Sequence, residues 1–440
     1  KFCLSGIARS AKAGQINKIK TEINFGENKN WRNVIMACKG PLSGYRVLDM
    51  TQFESGTVCT ETLAWLGAEV LKVERPVKLG RYSQANPGVD TYGFLVMNMN
   101  KKSITCNAKS PEGLQLLKDL VAKSDVIVEN MGPGSMNNLG LTYEACKEIN
   151  PKIIYASLKG FAQDGPYKDY PAFDPIATHT GVLVSATGLP DQPIKCGISV
   201  ADSGTGITLA MSIIAALLQR EREGIGQRVD VAMQDFMIGL SRSQWEPYYN
   251  NGMVPNRRVG NGMPLEDVAP SDTYPCKPFG KNDYVHIYCS RHPGSKQWDN
   301  LCDVIGRPDL KQDVCPEMAT PRSRYEHRDI CDGAIKDWLK DYDKFTAMDI
   351  LCKADIPAGA LLSVDDITKD PQYYERGMMV EIDHPQRGRV KLPGFAPRMS
   401  AVKVEYECSP ELGGSNEEVY GGMLGLTEKQ LEELKNKKVI

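Results

Sequence analysis

The 440-residue sequence is poor in several things that would have announced a function. It holds only five histidines, and none fall in an HxH or HExxH cluster, which argues against a local zinc site and leads us to expect no bound metal. Its 13 cysteines are odd in number and never spaced as CxxC. Scattered in this way, they read as small buried hydrophobes of a reducing cytoplasm and not as a disulfide framework. Neither charge dominates: 53 Lys+Arg against 55 Asp+Glu leave a net −2, which excludes the basic surface a nucleic-acid partner requires. The longest apolar run, 207–218, is interrupted by Thr208 and Ser212 and is too short for a bilayer, so no membrane partner is expected. The first ten residues (KFCLSGIARS) lack the apolar core of a signal peptide, in keeping with a cytoplasmic location.

What is present is enough for real cores: 41% of the residues are hydrophobic. At about 150 residues per domain the length predicts two or three domains. Residues 1–40 read as an appendage, mildly basic and weakly periodic. From Pro41 a regular alternation begins. Strands are predicted at 46–50, 69–73, 103–106, 125–129 and 152–158, with helices at 60–66, 111–123 and 143–148 between them. Short apolar strands alternating with helices mean βαβ units and a parallel, Rossmann-like α/β sheet covered on both faces. The first strand–helix turn, 51–57, has one glycine and no GxGxxG, which speaks against a dinucleotide enzyme.

Residues 205–222 form the most apolar helix, and its all-round apolar character predicts burial. A strand is expected at 198–201 just before it and another at 226–233 after it. Residues 251–278, rich in Gly, Pro, Asn and Asp, read as a long loop. A strand at 284–288 and helical stretches at 295–305 and 327–339 suggest a smaller α+β domain over 255–350. Residues 358–397 then return to strand-and-loop character. Thr427 and Gln430 offer a capping box for a terminal helix.

A few residues stand out chemically. Asp202 falls at the start of the apolar helix, where the dipole should lower its pKa and hold it ionised, fit to attack an activated carbonyl. From the local pattern alone an ordinary N-cap is the plainer explanation of the same residue. Asp174 precedes a proline and reads as a turn or a site carboxylate. Glu54 and Ser55 lie at the tip of the first strand, where parallel sheets bind ligands, or form a plain polar loop. Arg75 can meet a phosphate or point to solvent. Gly260, Asn261 and Gly262 read as a flexible lid or a turn.

Taken in order, several blocks match one family: 44–50 (GYRVLDM), 63–75 (LAWLGAEVLKVER), 100–104 (NKKSI), 125–130 (DVIVEN), Pro133-Gly134, Gly160-Phe161, Gly165-Pro166, Asp202, Gly226-Gln227, 231–235 (VAMQD) and 355–359 (DIPAG). From Pro41 onward the chain resembles the class III, formyl-CoA transferase-like (CaiB/BaiF) CoA-transferases. The resemblance implies that 355–440 complete the large domain begun by 41–250. It implies an interlocked dimer, either of like chains or of two paralogous subunits. Succinyl-CoA:benzylsuccinate transferase is an example of the second arrangement, in which Asp202 would make this chain the catalytic partner. It also implies acyl-CoA and carboxylic acid substrates and no tightly bound cofactor.

By the same resemblance Asp202 is the nucleophile, forming an aspartyl anhydride and then an aspartyl-CoA thioester. Phe53, Glu54 and Ser55 match the loop at CoA and the reacting acyl group. Arg75 matches a contact to the nucleotide. Cys106, Asn107, Ala108, Lys109, Asn130, Met131, Gly132 and Asn138 match the adenine and phosphate path. Pro171, Ala172, Phe173 and Asp174 match the pantetheine stretch, and Met233 matches a further contact. Departures accompany these matches. Glu54 replaces the Gln of oxalate-using members, Asn138 their Arg and Gly93 their Tyr, and the 260–262 lid is short. The racemase branch of the family is an alternative, but its proton-shuttling His is here Phe173, which carries no base. A non-catalytic subunit of a heteromer is a second alternative.

Overall fold

The computed structural model describes residues 40–76, 81–82, 88–254, 257–263, 266–289 and 295–440. The expected appendage therefore lies outside the described residues, apart from Gly40. Six strands form one sheet: β1 (Arg46–Asp49), β2 (Glu69–Glu74), β3 (Lys102–Thr105), β4 (Val126–Glu129), β5 (Ile154–Lys159) and β6 (Gln227–Ala232). Every pairing is parallel and the order is β3-β2-β1-β4-β5-β6, with Val47 in register with both Val70 and Val126. The chain thus leaves β1 in one direction to lay down β2 and β3, then returns to its other side for β4. The crevice between the carboxyl ends of β1 and β4 is the switch point at which such sheets take ligands.

Strand alternation builds two cores. Val47, Val70 and Val128 face the helices α1 (Ser55–Trp65) and α5 (Val200–Glu223). Leu48, Leu71 and Ile127 face α2 (Pro111–Ala122) and the C-terminal segment, whose Val419, Tyr420, Leu431, Val439 and Ile440 are all buried there. That segment ends in α10 (Glu428–Asn436), opened by the predicted Thr427–Gln430 capping box. The other α-helices of seven residues or more are α3 (Tyr143–Ile149), α4 (Asp174–Thr180), α6 (Met233–Leu240), α7 (Gln297–Val304), α8 (Arg328–Leu339) and α9 (Lys344–Lys353), with shorter ones among them.

A second body has its own core. The antiparallel strands β7 (Ser271–Pro275), β8 (Tyr284–Tyr288) and β9 (Ala358–Ala360) pack with α7, α8 and α9 around Trp298, Leu301 and Ile335. The hairpin of β10 (Met379–His384) and β11 (Gly388–Pro393) covers Phe94, Leu95 and Met99 beside the main sheet.

Three readings are corrected. Residues 198–201 form no strand, because the helix begins at Val200, which puts Asp202 inside its first turn. The 251–278 stretch is not all loop, since it ends in β7. Helix α5 is not buried all round. Leu209, Ile213 and Leu217 are packed inside, whereas Ile207, Met211 and Leu218 are each more than half exposed. By length and composition alone α5 would reach across a bilayer, but one face is built into the core of this sheet.

Candidate active site

The site grows out of the loop between β1 and α1. Asp49, the last residue of β1, is wholly buried. It accepts bonds from the Thr51 amide at 2.9 Å, the Thr51 hydroxyl at 2.6 Å and the Thr60 hydroxyl at 2.7 Å. Burial alone would raise its carboxyl, but Lys72 and Lys101, with Thr51 and Thr60, overcome this and hold it at about 2. Lys101 lies 3.2 Å from Asp49 and Lys72 3.7 Å. Both ammonium groups also brace the loop, Lys72 on the Thr51 carbonyl and Lys101 on the Thr57 carbonyl, each at 3.0 Å. From β4, Asn130 clamps the same loop, accepting from the Gln52 amide at 2.8 Å and donating to the Gln52 carbonyl at 2.7 Å. The loop so held places Phe53 at φ +57°, in the left-handed region, with its ring exposed.

Helix α1 starts at Ser55, five residues earlier than predicted, despite glycine and threonine in its first turn. Tertiary contact supplies what propensity lacks. At Gly206 of α5 a Cβ would stand 2.3 Å from the Ser55 carbonyl oxygen, so only glycine lets the two helices approach this closely. That approach brings Glu54 to the first turn of α5, where the Ser203 hydroxyl donates to its Oε1 at 2.6 Å.

Asp202 is therefore not the cap of α5. Asp174, at the start of α4 and 5% exposed, accepts from the amides of Ala201 at 2.8 Å and Asp202 at 3.3 Å. The predicted lowering of the Asp202 pKa is also reversed. Burial, then the nearby carboxylates of Glu54 and Asp174, push it up to about 6, against a hydrogen bond from Ser55. Desolvation and two like charges, none of them visible in the local sequence, set this direction.

Two clefts meet here. A reaction cleft of about 570 Å³ is lined by Phe53, Glu54, Gly93, Phe173 and Asp202, and by the buried Lys72. Phe53 and Phe173 meet edge-on, ring centroids 6.1 Å apart, at its mouth. A larger cleft of about 1380 Å³ is lined by Cys106, Asn107, Ala108, Lys109, Met131 and Asn138. Gln52, Val73, Glu74 and Arg75 line both, so the two are continuous along the end of β2. Cys106 is no rival nucleophile: burial pushes its thiol up to about 12.

Several expected contacts fall elsewhere. Met233 is buried in the core at the start of α6 and lines neither cleft, because its side chain fills the space beneath α5. Gly132 lines a separate small hollow with Lys159 and Arg228. Pro171 and Ala172 line neither cleft, Ala172 being packed where a Cβ on Gly160 would stand. Gly260, Asn261 and Gly262 form no lid over either cleft: the Gly260 amide donates to the Gly188 carbonyl at 2.9 Å, which pins the segment to another loop. Sequence reasoning missed the buried Lys72, inside β2, and Lys101, just before β3, because a lysine in or beside a strand reads as exposed. It also missed Lys435 and Lys438, which line the larger cleft from the far end of the chain.

Among the described residues, no group of three or more His, Cys, Asp or Glu is placed to hold a metal ion. The sequence matches the family model of CoA-transferase family III over residues 42–416. It is 40% identical over 413 residues to formyl-CoA:oxalate CoA-transferase of Streptomyces coelicolor, covering 91% of this chain and 99% of that protein. It is 38% identical over 412 residues to the enzyme of the same name from Rhodopseudomonas palustris strain BisB18, covering 89% and 95%. The fold is similar to a CAIB/BAIF family protein from Brucella suis, with a TM-score of 0.76 and 31% identity over 88% of this chain and all of that one. It is similar also to Rv3272 from M. tuberculosis, at a TM-score of 0.69 and 27% identity over 86% and 98%.

Proposed function

The chain belongs to CoA-transferase family III, and from that membership we propose that it moves CoA from an acyl-CoA to a carboxylic acid with Asp202 as the covalent carrier. The observation that carries this reading is the position of Asp202 on the wall of the smaller cleft, which runs on into the larger one, uncoupled from the capping duty that Asp174 performs. An Asp202 oxygen attacks the thioester carbonyl, the C–S bond breaks and CoA leaves as thiolate, giving a mixed anhydride. The thiolate then attacks the aspartyl carbonyl, releasing the donor acid and forming an aspartyl-CoA thioester. The acceptor carboxylate attacks that thioester carbonyl, and the returning thiolate completes the new acyl-CoA. Each attack builds an oxyanion beside the first turn of α1, whose N-terminal end favours negative charge.

The carboxylate of Glu54, hydrogen-bonded to Ser203, makes the acyl end of the cleft acidic. Succinyl-CoA, the donor that the family resemblance suggests, is tested beside a monocarboxylic acyl-CoA, because its free carboxylate would meet that charge. Because Ile207, Met211 and Leu218 leave an apolar face of α5 uncovered, we also propose that this face meets a second subunit, alike or paralogous.

The test is incubation with an acyl-CoA followed by hydroxylamine and mass mapping. An adduct on Asp202, absent in Asp202→Ala together with transfer, supports the mechanism. An adduct on a cysteine, or full transfer by Asp202→Ala, sinks it.

A further inference from the structure

The end of the chain folds back onto the larger cleft. The Asn107 amide donates to the Val439 carbonyl at 2.7 Å, and Val439 and Ile440 are buried in the core behind α2. This anchoring leaves Lys435 and Lys438 on the wall of the larger cleft, with Lys109 and Arg75. The lysines nearby are engaged elsewhere: Lys437 pairs with Glu112 at 3.2 Å, and Lys435 reaches Glu417 at 3.5 Å. Among the described residues Lys438 pairs with no carboxylate. Its φ is +57°, a backbone geometry that suits glycine, yet a lysine stands there and borders the cleft.

The two clefts divide these cations. Arg75 lines both, so it sits at their junction, whereas Lys109, Lys435 and Lys438 line the larger cleft and not the one holding Asp202. Coenzyme A has the same polarity. Its sulfur is at one end, its pyrophosphate lies between, and its ribose 3′-phosphate is at the other end, bearing about two negative charges near neutral pH. With the sulfur at Asp202, the junction receives the pyrophosphate and the far wall receives the 3′-phosphate.

We propose that Lys438 is the ligand of the ribose 3′-phosphate, so that this chain tells CoA from dephospho-CoA through the turn after α10. The inference rests on the reading that the two clefts hold CoA. Lys438→Gly is the informative variant, since it removes the charge while relieving the backbone, and its thermal midpoint should not fall. The dissociation constants of CoA and dephospho-CoA are measured by calorimetry at low salt for the unaltered chain and the variant. The unaltered chain should bind CoA about tenfold more tightly, the size expected of a charge-assisted hydrogen bond. In Lys438→Gly the CoA constant should weaken toward that of dephospho-CoA, which itself should not change. Unaltered discrimination in the variant, or an equal loss for both ligands, overturns the inference alone. Failure of the unaltered chain to bind either ligand overturns the CoA-binding reading beneath it.

Discussion

The carboxylate of Asp174 takes the amide hydrogens of Ala201 and Asp202, so the aspartate that begins α4 closes the first turn of α5. Two carboxylates distant in sequence thereby divide two tasks. One satisfies the helix end, and the other is free to face the cleft while remaining under the influence of the first charge.

That division predicts different results for two changes at one position. Asp174→Ala leaves both amides without their acceptor and should cost about 1–2 kcal/mol, read as a lowered thermal midpoint. Asp174→Asn keeps an acceptor oxygen and removes the charge. It should hold the midpoint nearer the unaltered value and move the acid limb of kcat/KM to lower pH, because a like charge no longer opposes ionisation of Asp202. An unmoved acid limb in Asp174→Asn would show that Asp174 does not tune the nucleophile.

Asp202 itself makes a pH prediction with a definite sign. The attacking group is the carboxylate, so kcat/KM should fall as pH drops through about 6, where this side chain takes up its proton. For stability the folded value lies above the ordinary 3.8, so the folded chain keeps a proton the unfolded chain has lost. The cost of the charge is absent below about 4 and complete above about 6. Asp202→Asn should therefore stabilise the fold at pH 8 by about 1–2 kcal/mol after allowance for partial exposure, and be neutral near pH 4. Denaturant unfolding at the two pH values checks this. Equal stability of variant and parent at pH 8 counts against a strained carboxylate.

Glu54→Gln tests the second like charge. The amide oxygen can still accept from the Ser203 hydroxyl, so the geometry of the α1–α5 contact should hold. Without the negative charge, the acid limb of kcat/KM should shift down. Acids bearing a second carboxylate should also gain as acceptors, since their charge no longer meets Glu54. Unchanged acceptor preference across a panel of mono- and dicarboxylic acids would remove Glu54 from the acyl end of the site.

The alternation of apolar strands with helices was legible in the sequence, because a strand buried on both faces, such as 126–129, carries little but apolar residues. The ordered family blocks were legible for the same reason that they are local. Assembly was not. The early start of α1 depends on Gly206 about 150 residues away, and neither segment read alone predicts the contact. The Asp202 pKa was misjudged because the helix dipole is a local effect, whereas burial, and after it the charges of Glu54 and Asp174, arrive by tertiary packing. Met233 showed a family match but no sign of the core that absorbs it. The C-terminal lysines drew no functional reading from the sequence, because their place at the cleft depends on the long-range bond between Asn107 and Val439.

Neighbouring lysines on β3 and just before it provide the last test, because sequence alone cannot separate them. Lys101 is fully buried, 3.2 Å from Asp49 and 3.0 Å from the Thr57 carbonyl. Burial pushes its ammonium down to about 8 even with Asp49 pulling it up. Lys102 is partly exposed and bridges Glu69 and Glu418, each at 2.6 Å. Lys101→Met leaves the buried Asp49 with one cation where it had two, and should cost about 3–5 kcal/mol. Lys102→Met should cost about 1 kcal/mol or less, since its ion pairs are screened by solvent. Urea unfolding at neutral pH measures both. The change should reach the site as well: with the Thr57 carbonyl unbraced, the loop bearing Phe53 and Glu54 loses one of its supports, and KM for acyl-CoA should rise in Lys101→Met but not in Lys102→Met. Equal stability and equal KM in the two variants would mean that the buried cluster neither holds the fold nor positions the loop.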